Sequence, residues 1–199
     1  MLLSLSAVRG SRHFLEQGIA LLERLSPEEY ASQSRPGWAP VGSQFRHVLD
    51  HYRCFLLGRR EGRINYDARP RDPIVETDPV EAAQLARALA EALGDIHVED
   101  GDRPVIVQMD CGGNDGVPDW RPSSIGRELQ FLVSHTVHHF ALIKVLLEDR
   151  GISIGEEFGT APSTLAWQRG AAPGNLPRSS GVPGVSRNQS RRLATELTR

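Results

Sequence analysis

Apolar residues recur at mixed steps of three and four over residues 3–25, where Leu5, Val8, Phe14, Leu15, Ile19, Leu22 and Leu25 line one face of an amphipathic helix. Ser26-Pro27-Glu28-Glu29 then supplies a capping serine and a first-turn proline for a short helical turn, which breaks at Arg35-Pro36-Gly37. From Val41 to about Arg59, the residues Phe45, Val48, Leu49, Tyr52, Phe55 and Leu56 define a second helical face that ends near Gly58 or Gly62. Residues 63–78 mix prolines and charges without periodicity and predict a crossing loop. Asp78-Pro79 opens a third, alanine-rich helix that continues over residues 80–94.

Residues 103–109 are short and β-branched, and Gly, Asn and Asp crowd residues 110–118, so a strand or small hairpin is expected there. Ser123-Ser124 then starts a fourth helix, with apolar positions at Ile125, Leu129, Leu132, Val133, Val137, Phe140, Ile143 and Leu146 and a stop at Gly151. Phe158, Leu165 and Trp167 give the following segment enough apolar surface to pack back as an ordered strap. From Arg169 the chain is rich in Gly, Pro, Ser and Arg, a composition that buries too little apolar surface to offset its ordering entropy. The pattern therefore predicts an all-α protein. Residues 1–167 form one helical bundle with a small strand or hairpin insertion before the last long helix, and residues 168–199 form a disordered tail.

Composition narrows the class without changing that picture. With 39% hydrophobic and 24% charged residues and a net charge of −2, the 199-residue chain matches a soluble globular protein of one domain. No basic cluster marks a nucleic-acid face, and the scarcity of lysine (Lys144 alone) reads as codon bias. Two cysteines, Cys54 and Cys111, are too few for a disulfide framework and fit a reducing compartment. The first residues lack a basic segment ahead of their apolar stretch, and no run approaches the roughly 18 apolar residues of a membrane span. A cytoplasmic protein without membrane or nucleic-acid partners is expected.

Candidate chemistry lies in the histidines. Five of the seven fall in two groups, His47/His51 and His135/His138/His139. On a helix, residues four apart share a face, so each H-x-x-x-H pair directs two imidazoles to one place. Both pairs border apolar stripes, where unpaired ring nitrogens are costly, and one metal ion satisfies several of them together. Three imidazoles leave a fourth position for water or substrate, as in catalytic rather than structural zinc sites. His13 and His97 lack such company and belong to surface or loop. The HTVHH sequence at 135–139 lacks the glutamate of the H-E-x-x-H protease helix. Helix geometry places His51 nearer than His47 to the centre of the second helix's apolar face, so spacing leaves the choice between them open.

Two motifs carry a resemblance over about residues 1–165. R-H-V-L-D-H (46–51) and S-H-T-V-H-H-F-A-L-I (134–143) resemble the second- and fourth-helix histidine motifs of the DinB/YfiT-like family of bacterial metal-binding four-helix bundles. The resemblance implies that His47, His135 and His139 are the metal ligands, with His138 flanking them and Asp50 just outside. F-G-x-A-P-S-T-L (158–165) resembles a branch whose members seldom have a known activity. Known relatives include metal-dependent thiol transferases that use low-molecular-weight thiols, and the resemblance also makes a homodimer plausible. The expectation is thus a site for Zn, Ni or Fe in a metal-dependent transferase or hydrolase acting on a small molecule. His51 and His138 are its candidate proton shuttles, being the side-chain type that titrates near neutral pH. The alternative is a non-catalytic metal-binding or stress-response module.

Overall fold

Each long amphipathic segment becomes a helix in the computed structural model, which describes residues 6–34, 36–113 and 117–170. The first, α1 (Ser6–Leu22), buries Val8, Phe14, Leu15, Leu21 and Leu22. Its successor α2 (Pro27–Ala31) begins in a reciprocal capping box, with Ser26 accepting from the Glu29 N–H while Glu29 accepts from the Ser26 N–H. The central helix α3 (Val41–Glu61) stops at Gly62, whose φ of 74° is the left-handed conformation glycine adopts freely.

The crossing segment is more ordered than expected. It contains a strand, β1 (Arg63–Asn65), and a helical turn, α4 (Pro73–Thr77). Neither shows in local periodicity because each is held from outside: β1 pairs in parallel with residues 106–108, and the Tyr30 hydroxyl donates to the Val75 carbonyl at 2.7 Å. The Asp78 side chain caps α5 (Pro79–Ala92), after which two short 3₁₀ turns lead into β2 (Pro104–Gln108).

The expected hairpin is present and joins a larger unit. β2 pairs antiparallel with β3 (Trp120–Ser124), giving a three-stranded sheet in the order β1-β2-β3. Pro122 is tolerated because β3 is an edge strand. Ser124 ends that strand and caps α6 (Ile125–Glu148) by accepting from the Arg127 N–H. The chain divides into two units, Met1–Ala161 and Pro162–Arg199. In the second, the end of the expected strap is a short helix, α7 (Pro162–Gln168). The tail expected over 168–199 lies outside the described residues from 171 onward.

Helices α1, α3, α5 and α6 carry the core, and α3 packs directly on α6. Phe140 of α6 meets Phe14 and Phe45 at ring-centroid distances of 6.5 and 5.6 Å and stacks on Phe158 at 4.7 Å. Close backbone approaches set the ends of α3. A Cβ at Gly42 would lie 2.0 Å from the Glu76 carbonyl oxygen, and one at Gly58 would lie 2.3 Å from that of Arg63. Glycine is therefore required where α3 meets α4 and where it turns into β1. None of the described helices is long and apolar enough to cross a membrane.

Candidate metal centre

Register on two packed helices builds the site. One turn separates His47 from His51 on α3 and His135 from His139 on α6, so both pairs meet along the shared helix face. His47, His135 and His139 converge, each offering one ligating atom, with all three atoms within 4.8 Å of one another. The Nε2 atoms of His47 and His135 are 3.1 Å apart. Bonds of about 2.0–2.1 Å in a tetrahedral site place ligand nitrogens roughly 3.3 Å apart, so this spacing suits one shared cation.

Surrounding bonds fit the same arrangement in part. Gln44, one turn before Val48, accepts a hydrogen bond from His139 Nδ1 at 2.7 Å, which leaves the Nε2 lone pair of that ring available for a metal. His135 Nδ1 is buried and has no hydrogen-bond partner among the described residues, so this ring lacks there the outer acceptor that His139 has. Burial, reinforced by repulsion among the rings, holds His47 at a pKa of about 3 and His135 at about 2. Burial likewise holds His51 and His139 at about 4. All four rings are thus neutral near pH 7, the protonation state a metal requires. The trio contains no carboxylate. A divalent ion would keep its full double charge there and would favour an anion or polarised oxygen at the open position.

The remaining candidates take different places. His51 is 2% exposed, and its Nδ1 is bonded to the His47 carbonyl at 2.8 Å. Its ring stacks on Tyr66 and lies 4.1 Å from the His135 ring, beside the converging trio but outside it. His138 is exposed and sits edge-on to His139 at 5.1 Å. Asp50, expected beside the ligands, bonds instead to Arg46 (3.4 Å) and to the Arg71 N–H (3.2 Å). Three residues past His47, it points roughly 60° around the helix from it, towards the segment after β1. Cys54 is a buried free thiol whose pKa burial raises, which makes it a packed side chain rather than a ready thiolate. His13 and His97 lie outside the cluster, as expected.

Sequence reasoning missed three contributors. Gln44 orients His139, Phe131 packs on His135 at 5.5 Å, and Tyr66 covers His51 while donating to Glu128 at 3.0 Å. The position of Gln44 three residues before His47 was the one available signal. Beyond Tyr66 and Phe131 lies a cavity of about 320 Å³, also lined by Val107, Met109 and Glu128, a volume suited to a small molecule.

Comparison with known proteins places these features in a family. The model of the DinB superfamily matches residues 16–143, a span that contains the whole histidine cluster. Among curated proteins, FK506-binding protein 5 of Rhizopus delemar is 31% identical over 102 residues, covering 51% of this chain and 26% of that protein. The chain thus spans about a quarter of that relative's length. Among solved structures, a DinB-like protein from Bacillus subtilis is 19% identical with a TM-score of 0.55, over 75% of this chain and 94% of that one. That likeness shows a shared fold. A DinB-like protein from Bacillus cereus is 22% identical with a TM-score of 0.49, over 71% and 89% of the two chains.

Proposed function

The chain belongs to the DinB superfamily, and on that premise we propose that His47, His135 and His139 hold one divalent metal ion in a metal-dependent enzyme, a thiol transferase or a hydrolase-like catalyst. The observation that carries this reading is the convergence of the three rings from two helices, with 3.1 Å between two of their nitrogens. Zn, Ni and Fe all suit three imidazoles. Such an ion supplies Lewis acidity, easing deprotonation of a thiol or water and polarising an electrophile. The chain's own groups do the rest. Gln44 fixes the tautomer of His139, while Tyr66 packs on His51 and Phe131 on His135, covering the buried side of the cluster. His138, exposed beside His139, carries the released proton to solvent, while His51 serves as an internal proton acceptor through its Nε2.

The test offers the protein N-acetylcysteine and an activated aryl chloride. In that reaction the sulfur–carbon bond forms, the carbon–chlorine bond breaks, chloride leaves, and the thiol proton passes to solvent. Turnover is expected to stop with chelator and to return when metal is restored. His138→Ala should keep its metal yet lose about 100-fold in kcat, the usual scale for a positioned proton carrier. Chelator-insensitive turnover would contradict the reading. No turnover, together with a melting temperature that chelator lowers, would favour the non-catalytic metal-binding or stress-response module.

A further inference from the structure

Val107 of β2, Met109 just beyond it and Phe131 of α6 give the cavity of about 320 Å³ an apolar lining. All three have surface to offer a ligand, since Val107 and Phe131 are half-buried and Met109 is 38% exposed. None of His47, His135 and His139 lines this cavity, although Phe131 also packs on His135 at 5.5 Å.

Four charged side chains also line it, and three of them are engaged. Glu128 is buried, and its oxygens accept from the Tyr66 hydroxyl at 3.0 Å and the Ser123 hydroxyl at 2.5 Å. Asp119 and Arg121 are exposed and pair with one another at 2.8 Å. Arg127 remains. Its N–H is held by the Ser124 cap, but its exposed guanidinium makes no hydrogen bond or ion pair among the described residues. The N–H groups of Ile125 and Gly126 donate to the carbonyls of Arg103 and Gly101 at 3.1 and 2.8 Å, so an anion here meets a side chain and not a free helix end. The cavity thus combines apolar walls with one uncommitted positive charge at its exposed edge.

We propose that this cavity binds a small aromatic carboxylate, with its ring against Phe131, Val107 and Met109 and its carboxylate outward on Arg127. Contact with the Phe131 ring and the polarisable Met109 thioether favours an aromatic over an aliphatic body. The planar fork of a guanidinium matches a carboxylate through two parallel hydrogen bonds. Glu128 sets the orientation, because its charge repels an anion placed deep in the cavity and leaves the edge as the place for one. This site goes beyond the metal reading and uses none of the three ligands, so it stands or falls separately.

The experiment titrates full-length, metal-free protein with three probes by calorimetry, so that no carboxylate binds through an ion. 3-Phenylpropionate carries both ring and charge, 3-phenylpropanamide lacks the charge, and propionate lacks the ring. 3-Phenylpropionate should bind at least about tenfold more tightly than either comparator, the scale of one charge-assisted contact or more. Cys111 lines the same cavity and is exposed, whereas Cys54 is buried, so alkylation of Cys111 reports where the probe sits. Saturating 3-phenylpropionate should slow that alkylation by about threefold or more. Arg127→Gln should weaken binding by about tenfold, and Arg127→Lys should recover part of the loss. Equal affinity for the three probes overturns the proposal, as does heat without protection of Cys111, or neither heat nor protection. Protection without heat upholds the place of binding, and its dependence on concentration then ranks the probes. An Arg127→Gln protein of unchanged melting temperature that binds as wild type does also overturns the proposal. If that variant fails to fold, the three probes on wild type still decide.

Discussion

Replacing His135 with alanine is expected to strip the metal while leaving the bundle folded. His135 supplies the nitrogen 3.1 Å from that of His47, and its other nitrogen is buried without a partner among the described residues. Removing the ring therefore deletes a ligand together with an unsatisfied polar atom, and the second loss offsets part of the cost of the space left behind. In metal-free protein the substitution should shift the melting temperature little. In metal-loaded protein it should abolish the stabilisation from binding, which is about 4 kcal/mol when the ion is at a thousand times its Kd. Metal affinity should fall by more than about 100-fold, the upper end of what loss of a hydrogen-bonding partner costs, whereas Gln44→Ala should stay within about 10–100-fold. His51→Ala is the informative partner. Retained metal in His51→Ala and lost metal in His47→Ala assigns the α3 ligand to His47, and the opposite pattern assigns it to His51.

Acidification should destabilise the metal-free protein strongly. In the unfolded chain these rings titrate near pH 6.5. In the folded protein burial holds His51 and His139 at about 4, His47 at about 3 and His135 at about 2. Between pH 6.5 and those values the unfolded chain binds more protons than the folded one, so stability falls as pH falls. The contribution is complete above pH 6.5 and is lost progressively below it. From pH 7 to 5 the melting temperature of metal-free protein should drop by about 5 °C or more, since each kcal/mol moves it by roughly 2–4 °C at this size. His135→Ala, with one fewer depressed ring, should show a shallower slope. Metal-loaded protein should also release its ion across this range, because protons compete for the same nitrogens. A melting temperature flat from pH 7 to 5 in metal-free protein would contradict the buried, neutral cluster.

What the sequence revealed and what it hid have physical reasons. Periodicity located α1, α3, α5 and α6 because each buries a stripe the 3.6-residue repeat makes visible. β1 and α4 escaped because their order comes from distant partners, residues 106–108 and Tyr30, which no local window contains. Spacing of four on two helices made the convergence of two histidine pairs legible, while the choice of His47 beside His135 and His139 came from the resemblance to the DinB/YfiT-like family. Spacing alone favoured His51 over His47, since it measures distance from the apolar stripe and not the bond that holds His51 Nδ1 to its own helix. Asp50 lies beside the motif in sequence, yet Arg46 and the Arg71 N–H hold it away from the rings. Met109 and Arg127, 18 positions apart, carry no sequence signal that they share a cavity.

The central claim is that three imidazoles from two helices bind one divalent ion. Metal analysis with X-ray absorption at the metal edge, on full-length protein purified without a histidine tag, tests it most directly. The account predicts about one ion of Zn, Ni or Fe per chain with three imidazole nitrogens at about 2.0–2.1 Å, and loss of that signal in the His47→Ala/His135→Ala/His139→Ala protein. Unchanged metal content in that triple variant, or no uptake by wild type when these ions are supplied, would contradict it.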